Sequence, residues 1–220
     1  MMPLIRFHSV VLVITTLTMF YLWDLFLGIS TNTRCYIPIA AISSIGFYRL
    51  FMLVIKFFVL KIRILKTWLF GAYYFEGVWV GFYIGKEGDV RYYIEIFEQD
   101  LDSFVIRGKG FREDDGYFSS WVSESVSFNA QKGMLSYTYQ TDALTNSFIN
   151  SGLANFVVER KKHDAAPYRL YGFSSDLYNP QKLKSFEEKI KDKPDVENVG
   201  IALNKAKALY VTHKYLHSLE

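Results

Sequence analysis

His213 and His217 stand four residues apart, the spacing that puts two imidazoles on one helix face for a metal ion. No glutamate follows the first in an HExxH arrangement and no third ligand is apparent, so a solvated helix end is expected. The acidic pairs Asp100/Asp102 and Asp114-Asp115 fall in turn segments, where aspartate bonds its own backbone. Gly108-Lys109-Gly110 is not followed by a helix, so it lacks the N-terminus that a phosphate loop needs. Cys35, the single cysteine, cannot form an internal disulfide, which fits a reducing compartment. No nucleophile is paired with a base. The chain is therefore not expected to be an enzyme, and neither a metal nor a cofactor is expected.

Binding chemistry is better represented. Tyr83, Arg91, Tyr92, Arg107, Trp121, Tyr137, Tyr139 and Asn155 all fall in alternating, aromatic-rich stretches. Aromatic faces stack on bases, and guanidinium groups pair with phosphate oxygens. Neighbouring strand residues face opposite ways, so Arg91 and Tyr92 cannot both point inward, and only a subset of the eight can line one pocket.

The elements that would position them follow a period of two from Phe75 onward. Strands are expected over Phe75–Ile84, Val90–Gln99, Ser103–Phe111, Tyr117–Phe128, Met134–Thr141, Gly152–Arg160 and Tyr168–Phe173, with a short eighth between Asp142 and Asn150. Gly85–Asp89, Gln99–Asp102, Glu113–Gly116 and Ala130–Gly133 mark the turns between them. Such a meander closes into an antiparallel, lipocalin-like barrel of about eight strands, which removes exposed edges. On the first strand Phe75, Gly77, Trp79, Gly81 and Tyr83 share one face, and Trp79 is expected to be a packed core plug. C-terminal helices are expected from Pro180, capped by Asn179, through Gln181–Lys191, and again over Val199–Leu219.

The N-terminal quarter differs. Ser9–Ile29 carries one charge, Asp24, and its length of roughly 30 Å at about 1.5 Å per residue matches a hydrocarbon core. Ser30–Tyr36 is a polar turn, and Ile37–Leu60 is a second expected span, entered through Pro38. Arg6, Lys61, Arg63 and Lys66 flank the pair, against Arg34 in the turn, which places both termini and the barrel in the cytoplasm. The expected division is a two-span region with a basic stem over 1–66 and a barrel over 67–220. Arg49, Lys56 and Arg63 recur every seven residues on one helical stripe. Lys56 can snorkel to the headgroups. Arg49 lies deeper, and either snorkels too or faces a partner such as Asp24 in a helix contact or pore of an oligomer. A net charge of +3 is too small for a nucleic-acid-binding surface, so no nucleic-acid polymer is expected as partner.

Two spans, a short stem and Phe75-x-Gly-x-Trp-x-Gly-x-Tyr83, with Gly152-Leu-Ala-Asn-Phe156 and the Gly-x-x-x-Asp ending within Leu170–Tyr178, resemble the two-transmembrane β-barrel effectors of bacterial cyclic-oligonucleotide antiphage signalling (CBASS). That resemblance spans nearly the whole chain. It implies a multi-pass protein of the bacterial inner membrane whose barrel binds a cyclic dinucleotide made by a nucleotidyltransferase. Binding would drive self-association among membrane lipids and disruption of the membrane, an abortive infection. The alternatives are a membrane-tethered lipocalin-like module for a lipid or other apolar ligand, and a filled barrel with no ligand.

Overall fold

The computed structural model describes residues 3–27, 36–85, 88–143, 150–178 and 180–214, in two compact units, Met1–Gly71 and Ala72–Glu220.

The first unit is helical: α1 Pro3–Leu27, α2 Tyr36–Lys61 and α3 Arg63–Phe70. Pro3 begins α1 and Pro38 lies in the first turn of α2, where a missing N–H removes no intrahelical bond. Phe7, Val11 and Thr15 recur every four residues on α1 and are buried, with Val59 of α2 also buried. His8 Nδ1 and Tyr48 Oη lie 2.7 Å apart. The rest of α1 presents Leu12, Val13, Leu17, Phe20 and Tyr21 exposed. Over Pro3–Asp24 this helix is long and apolar enough to cross a membrane. Asp24 and Arg49 are exposed and Lys56 is half-buried.

The second unit is a closed antiparallel barrel of eight strands in chain order: β1 Gly77–Ile84, β2 Val90–Gln99, β3 Phe104–Phe111, β4 Tyr117–Asn129, β5 Met134–Ala143, β6 Asn150–Arg160, β7 Pro167–Asp176 and β8 Leu183–Lys191. Seven strands lie where the alternation places them. The eighth is a correction. It is Leu183–Lys191, which the sequence reading assigns to a helix after Pro180, and β8 closes the barrel by pairing with β1. The segment Leu-Lys-Ser-Phe-Glu-Glu-Lys-Ile-Lys has helix-favouring residues, but β1 and β7 each offer an open edge, and satisfying two ladders outweighs local propensity. The expected short strand within 142–150 is not needed: β5 runs to Ala143 and β6 starts at Asn150, and residues 144–149 lie outside the described residues.

One C-terminal helix is described in place of two, α4 Val199–His213, with the Asn198 side chain accepting from Ile201 N–H at 3.1 Å. Its expected extension to Leu219, with His217, runs past residue 214 and lies outside the described residues. Ala202, Leu203 and Ala206 pack on Val78, Val80, Phe82, Tyr92 and Ile94, so α4 covers the outer face of β1 and β2. Inside, one end of the barrel is filled. Phe75, Trp79, Phe97, Ile106, Leu135 and Leu170 are fully buried there, joined by Phe104 and Phe128. Trp79 is the plug its place on β1 suggests, donating from Nε1 to Phe75 O at 2.9 Å.

Candidate functional site: a carboxyl-floored chamber in the barrel

The period of two decides what faces inward. From β1 the paired positions run Trp79↔Glu95, Gly81↔Tyr93 and Tyr83↔Arg91; across the closing seam Gly81 pairs Glu187 and Tyr83 pairs Ser185. On β4 and β5, Trp121 pairs Thr141 and Ser123 pairs Tyr139, which shares its face with Tyr137. These strands enclose a cavity of about 160 Å³ above the apolar plug. Its wall is aromatic: Tyr83, Tyr93, Phe118, Trp121, Tyr137, Tyr139 and Phe156. Ser119, Thr141, Asn150, Ser174, Asp176 and Ser185 add hydroxyl, amide and carboxyl groups.

Two carboxyls form the centre of the site. Glu95 is 1% exposed and Glu187 0%. Trp121 Nε1–H and Tyr137 O–H both donate to Glu95 Oε1, at 2.7 and 2.9 Å. Tyr93 O–H donates to Glu187 Oε1 at 3.0 Å. The two carboxyls also hydrogen-bond each other, Glu187 donating its retained proton to Glu95. Burial, and after it the negative charge of Glu95, pushes the Glu187 carboxyl well above the carboxylate range. Burial also raises Glu95, against the bonds from Trp121 and Tyr137 that favour its charged form. The pair therefore holds on to a proton that two solvated glutamates would release, and Glu187 retains it the more strongly. Burial raises Tyr83 to about 12 and holds Tyr93 and Tyr137 well above 10, so the phenols remain neutral donors.

Glycines make room for this arrangement. A Cβ on Gly81 would lie 2.6 Å from Tyr93 Oη and 2.4 Å from Phe186 O, in the path of the Tyr93–Glu187 bond. The Trp121 indole lies over Gly108, where a Cβ would come within 1.9 Å, and the Tyr139 ring lies over Gly152 in the same way, at 2.2 Å.

Of the residues proposed from sequence, Tyr83, Trp121, Tyr137 and Tyr139 line the chamber. Arg91 shares their inward register and ends at the rim, ion-paired with Asp89, its guanidinium 4.4 Å from the Phe118 ring centre. The other three face outward. Tyr92 lies beneath α4, 6.3 Å from the Tyr210 ring. Arg107 is exposed and bonds Glu98 at 3.3 Å. Asn155 accepts from Ser136 Oγ at 2.6 Å on the outer surface. His213 is stacked on Phe186 at 4.3 Å, and among the described residues no group of three His, Cys, Asp or Glu could hold a metal ion. Sequence reasoning missed Glu95, Glu187 and Tyr93. Glu95 carried a signal: it alternates with Tyr93 and Phe97, and so shares the face that holds them. Glu187 was hidden by the helical reading of its segment.

No family model and no curated protein sequence matches the chain. Among solved structures, a de novo designed fluorescence-activating β-barrel is similar at a TM-score of 0.35 and 12% identity, over 54% of this chain and 96% of that one.

Proposed function

We propose that the protein is a membrane-anchored receptor of the CBASS effector type, in which the barrel takes a cyclic dinucleotide and the N-terminal helices deliver the response. The observation that carries this reading is the chamber: a partly open, aromatic-walled space with polar groups in its lining, in a barrel otherwise filled with apolar side chains. Its volume of about 160 Å³ falls below the ~300–1,000 Å³ of sites for whole drug-sized ligands. It compares with the roughly 150 Å³ cavity that holds one benzene-sized ring. A cyclic dinucleotide would therefore insert one base, stacked among Tyr83, Trp121 and Tyr139. Its phosphates would stay at the rim with Arg91, away from the carboxyls. A lipid is disfavoured, because an acyl chain would cover the polar lining of Ser119, Thr141, Asn150 and Ser174 without bonding to it.

On this reading α1 and α2 both span the bacterial inner membrane, with termini and barrel in the cytoplasm and a nucleotidyltransferase supplying the ligand. The ligand can drive self-association only through its differential affinity for the assembled state. Assembly would bring several helix pairs together, with Arg49, Lys56 and Asp24 facing protein or water rather than lipid. A thermal-shift panel on the full chain in detergent tests it. Cyclic dinucleotides should raise the melting temperature and fatty acids should not. Stabilisation by fatty acids alone would establish the lipid reading instead.

A further inference from the structure

We infer that α3 is an interfacial helix: its Ile64–Trp68 face lies in the headgroup boundary of the bilayer that the N-terminal helices enter, and Lys61 and Arg63 hold anionic lipid beside it. The inference concerns the helical unit alone and does not depend on what the barrel binds.

α3 has its faces reversed for a helix in water. Ile64, Leu65 and Trp68 recur at spacings of three and four, so they form one stripe. All three are exposed, Ile64 at 79% and Trp68 at 64%. Lys66, Leu69 and Phe70 recur in the same way on the opposite stripe and are buried, Lys66 with only 5% exposed. A helix solvated by water turns its lysine out and its tryptophan and isoleucine in. The backbone keeps the helix distinct from α2. Ile62 stands between them in an extended conformation, φ −102° and ψ 105°. The break is one residue long and tightly bridged, Ile62 N–H donating to Phe58 O at 2.8 Å and Lys66 N–H to Ile62 O at 3.0 Å. The eight residues of α3 make a helix of roughly 12 Å, too short to cross a hydrocarbon core of about 30 Å by itself.

The neighbours of the stripe say what covers it. Leu53, Val54, Phe57 and Phe58 are exposed on α2 just before the break, so apolar surface continues from α2 into α3. α2 packs on α1, which over Pro3–Asp24 is long and apolar enough to cross a membrane. Two exposed cations stand at the start of the stripe: Lys61, its Nζ 5.2 Å from the Phe57 ring centre, and Arg63. No Asp or Glu stands between Asp24 and Glu76, so this stretch of chain is cationic throughout. An apolar face with cations beside it and a tryptophan upon it matches the boundary of a leaflet, where indole is favoured and anionic headgroups attract Lys and Arg. A second copy meeting the stripe across a two-fold axis would bring the same cations against each other.

The test is fluorescence of the full-length protein reconstituted in vesicles of phosphatidylcholine, with and without phosphatidylglycerol. Cys35→Ser with Ile64→Cys leaves one thiol for an environment-sensitive fluorophore. Cys35→Ser with Trp68→Cys is the second labelling site, and a thermal melt shows which variants are folded. Spin-labelled lipids carry the quencher at the headgroup, the upper acyl chain or the lower acyl chain. Quenching should be strongest from the upper acyl position, roughly 5–10 Å into the headgroup and acyl boundary. Spin-labelled phosphatidylglycerol should quench more than phosphatidylcholine at equal mole fraction. Lys61→Gln with Arg63→Gln should lower that preference by about fivefold per charge removed. Strongest quenching from the lower acyl position would make α3 part of a span. Quenching by aqueous iodide and not by lipid would leave the face in water, and self-quenching between labels without lipid quenching would assign it to a second copy. Each of these overturns the inference, as does a phosphatidylglycerol preference that survives loss of both cations.

Discussion

Glu187→Gln tests the proton retained by the buried carboxyl pair, and the sign of its effect can be worked from that pair. Glu187 has no exposed surface, and its carboxyl sits well above the ordinary value of 4.5 through burial and the neighbouring Glu95. The folded protein therefore keeps a proton that the unfolded chain releases near pH 4.5. The unfolded state binds fewer protons than the native state above that pH, so stability falls as pH rises. The favourable contribution is complete below 4.5 and is lost progressively up to the folded value. Each pH unit in that window removes about 1.4 kcal/mol per proton. The amide introduced by the substitution has no proton to lose and keeps an acceptor for Tyr93 O–H. Lys189, the next inward residue on β8, is directed to Asp192 at 2.9 Å and to the Tyr74 ring at 4.4 Å. The variant curve should descend less steeply than the wild-type curve, its remaining slope coming from the buried Glu95 carboxyl. Near-ultraviolet circular dichroism of thermal unfolding between pH 5 and 7, in the same detergent, measures it. Parallel wild-type and variant curves across that range would refute the reasoning, because they would mean that Glu187 ionises in the folded barrel as it does in water. Glu95→Gln should gain less, since it gives up charge-assisted bonds from Trp121 and Tyr137.

The remaining predictions concern room, capping and assembly. Gly108→Ala would place a methyl 1.9 Å from the Trp121 indole, so it should destabilise by about 1–3 kcal/mol in chemical denaturation and move Trp121 off Glu95, which tryptophan fluorescence would report. Asn198→Ala removes the cap of α4 and should lower stability by about 1 kcal/mol without changing ligand affinity, measured by the same denaturation and by the thermal-shift panel. Arg49→Leu should abolish ligand-dependent cross-linking in membranes if the helices assemble through that residue; cross-linking equal to wild type would assign Arg49 to snorkelling.

The strands were legible because alternation is a direct consequence of the pleat, and turn residues punctuated it. Inward and outward parity was legible as well: it predicted that Arg91 and Tyr92 would part, and they do. Three things were not. β8 reads as a helix because Lys and Glu are compatible with both states, and the deciding factor is a pair of open edges, one about a hundred positions earlier on β1 and one about ten to twenty positions earlier on β7. The outward setting of Arg107 and Asn155 follows from register, which local sequence leaves open until a neighbouring strand fixes it. The carboxyl pair joins β2 to β8 across β1, so neither glutamate has a sequence neighbour that announces the other.

The two ends of the barrel interior answer to different requirements. A closed barrel needs only a filled centre to be stable, and the Phe75–Trp79–Phe97 end supplies that with stacked rings, Trp79 and Phe97 lying 5.2 Å apart. The chamber end departs from it at every level. Glycines at 81, 108 and 152 give up side-chain packing so that Tyr93, Trp121 and Tyr139 can lie across them. Two glutamates are taken out of water and held to each other by a hydrogen bond. Replacing a buried charged group by an apolar one of similar volume is often neutral or stabilising, so folding alone does not account for this set of residues. On the receptor reading, a ligand accounts for it. It would fill the space above the plug and stack on the rings, and each of those gains exists only in the bound state. That difference between free and bound barrel is the quantity from which any response in the helices would have to be drawn.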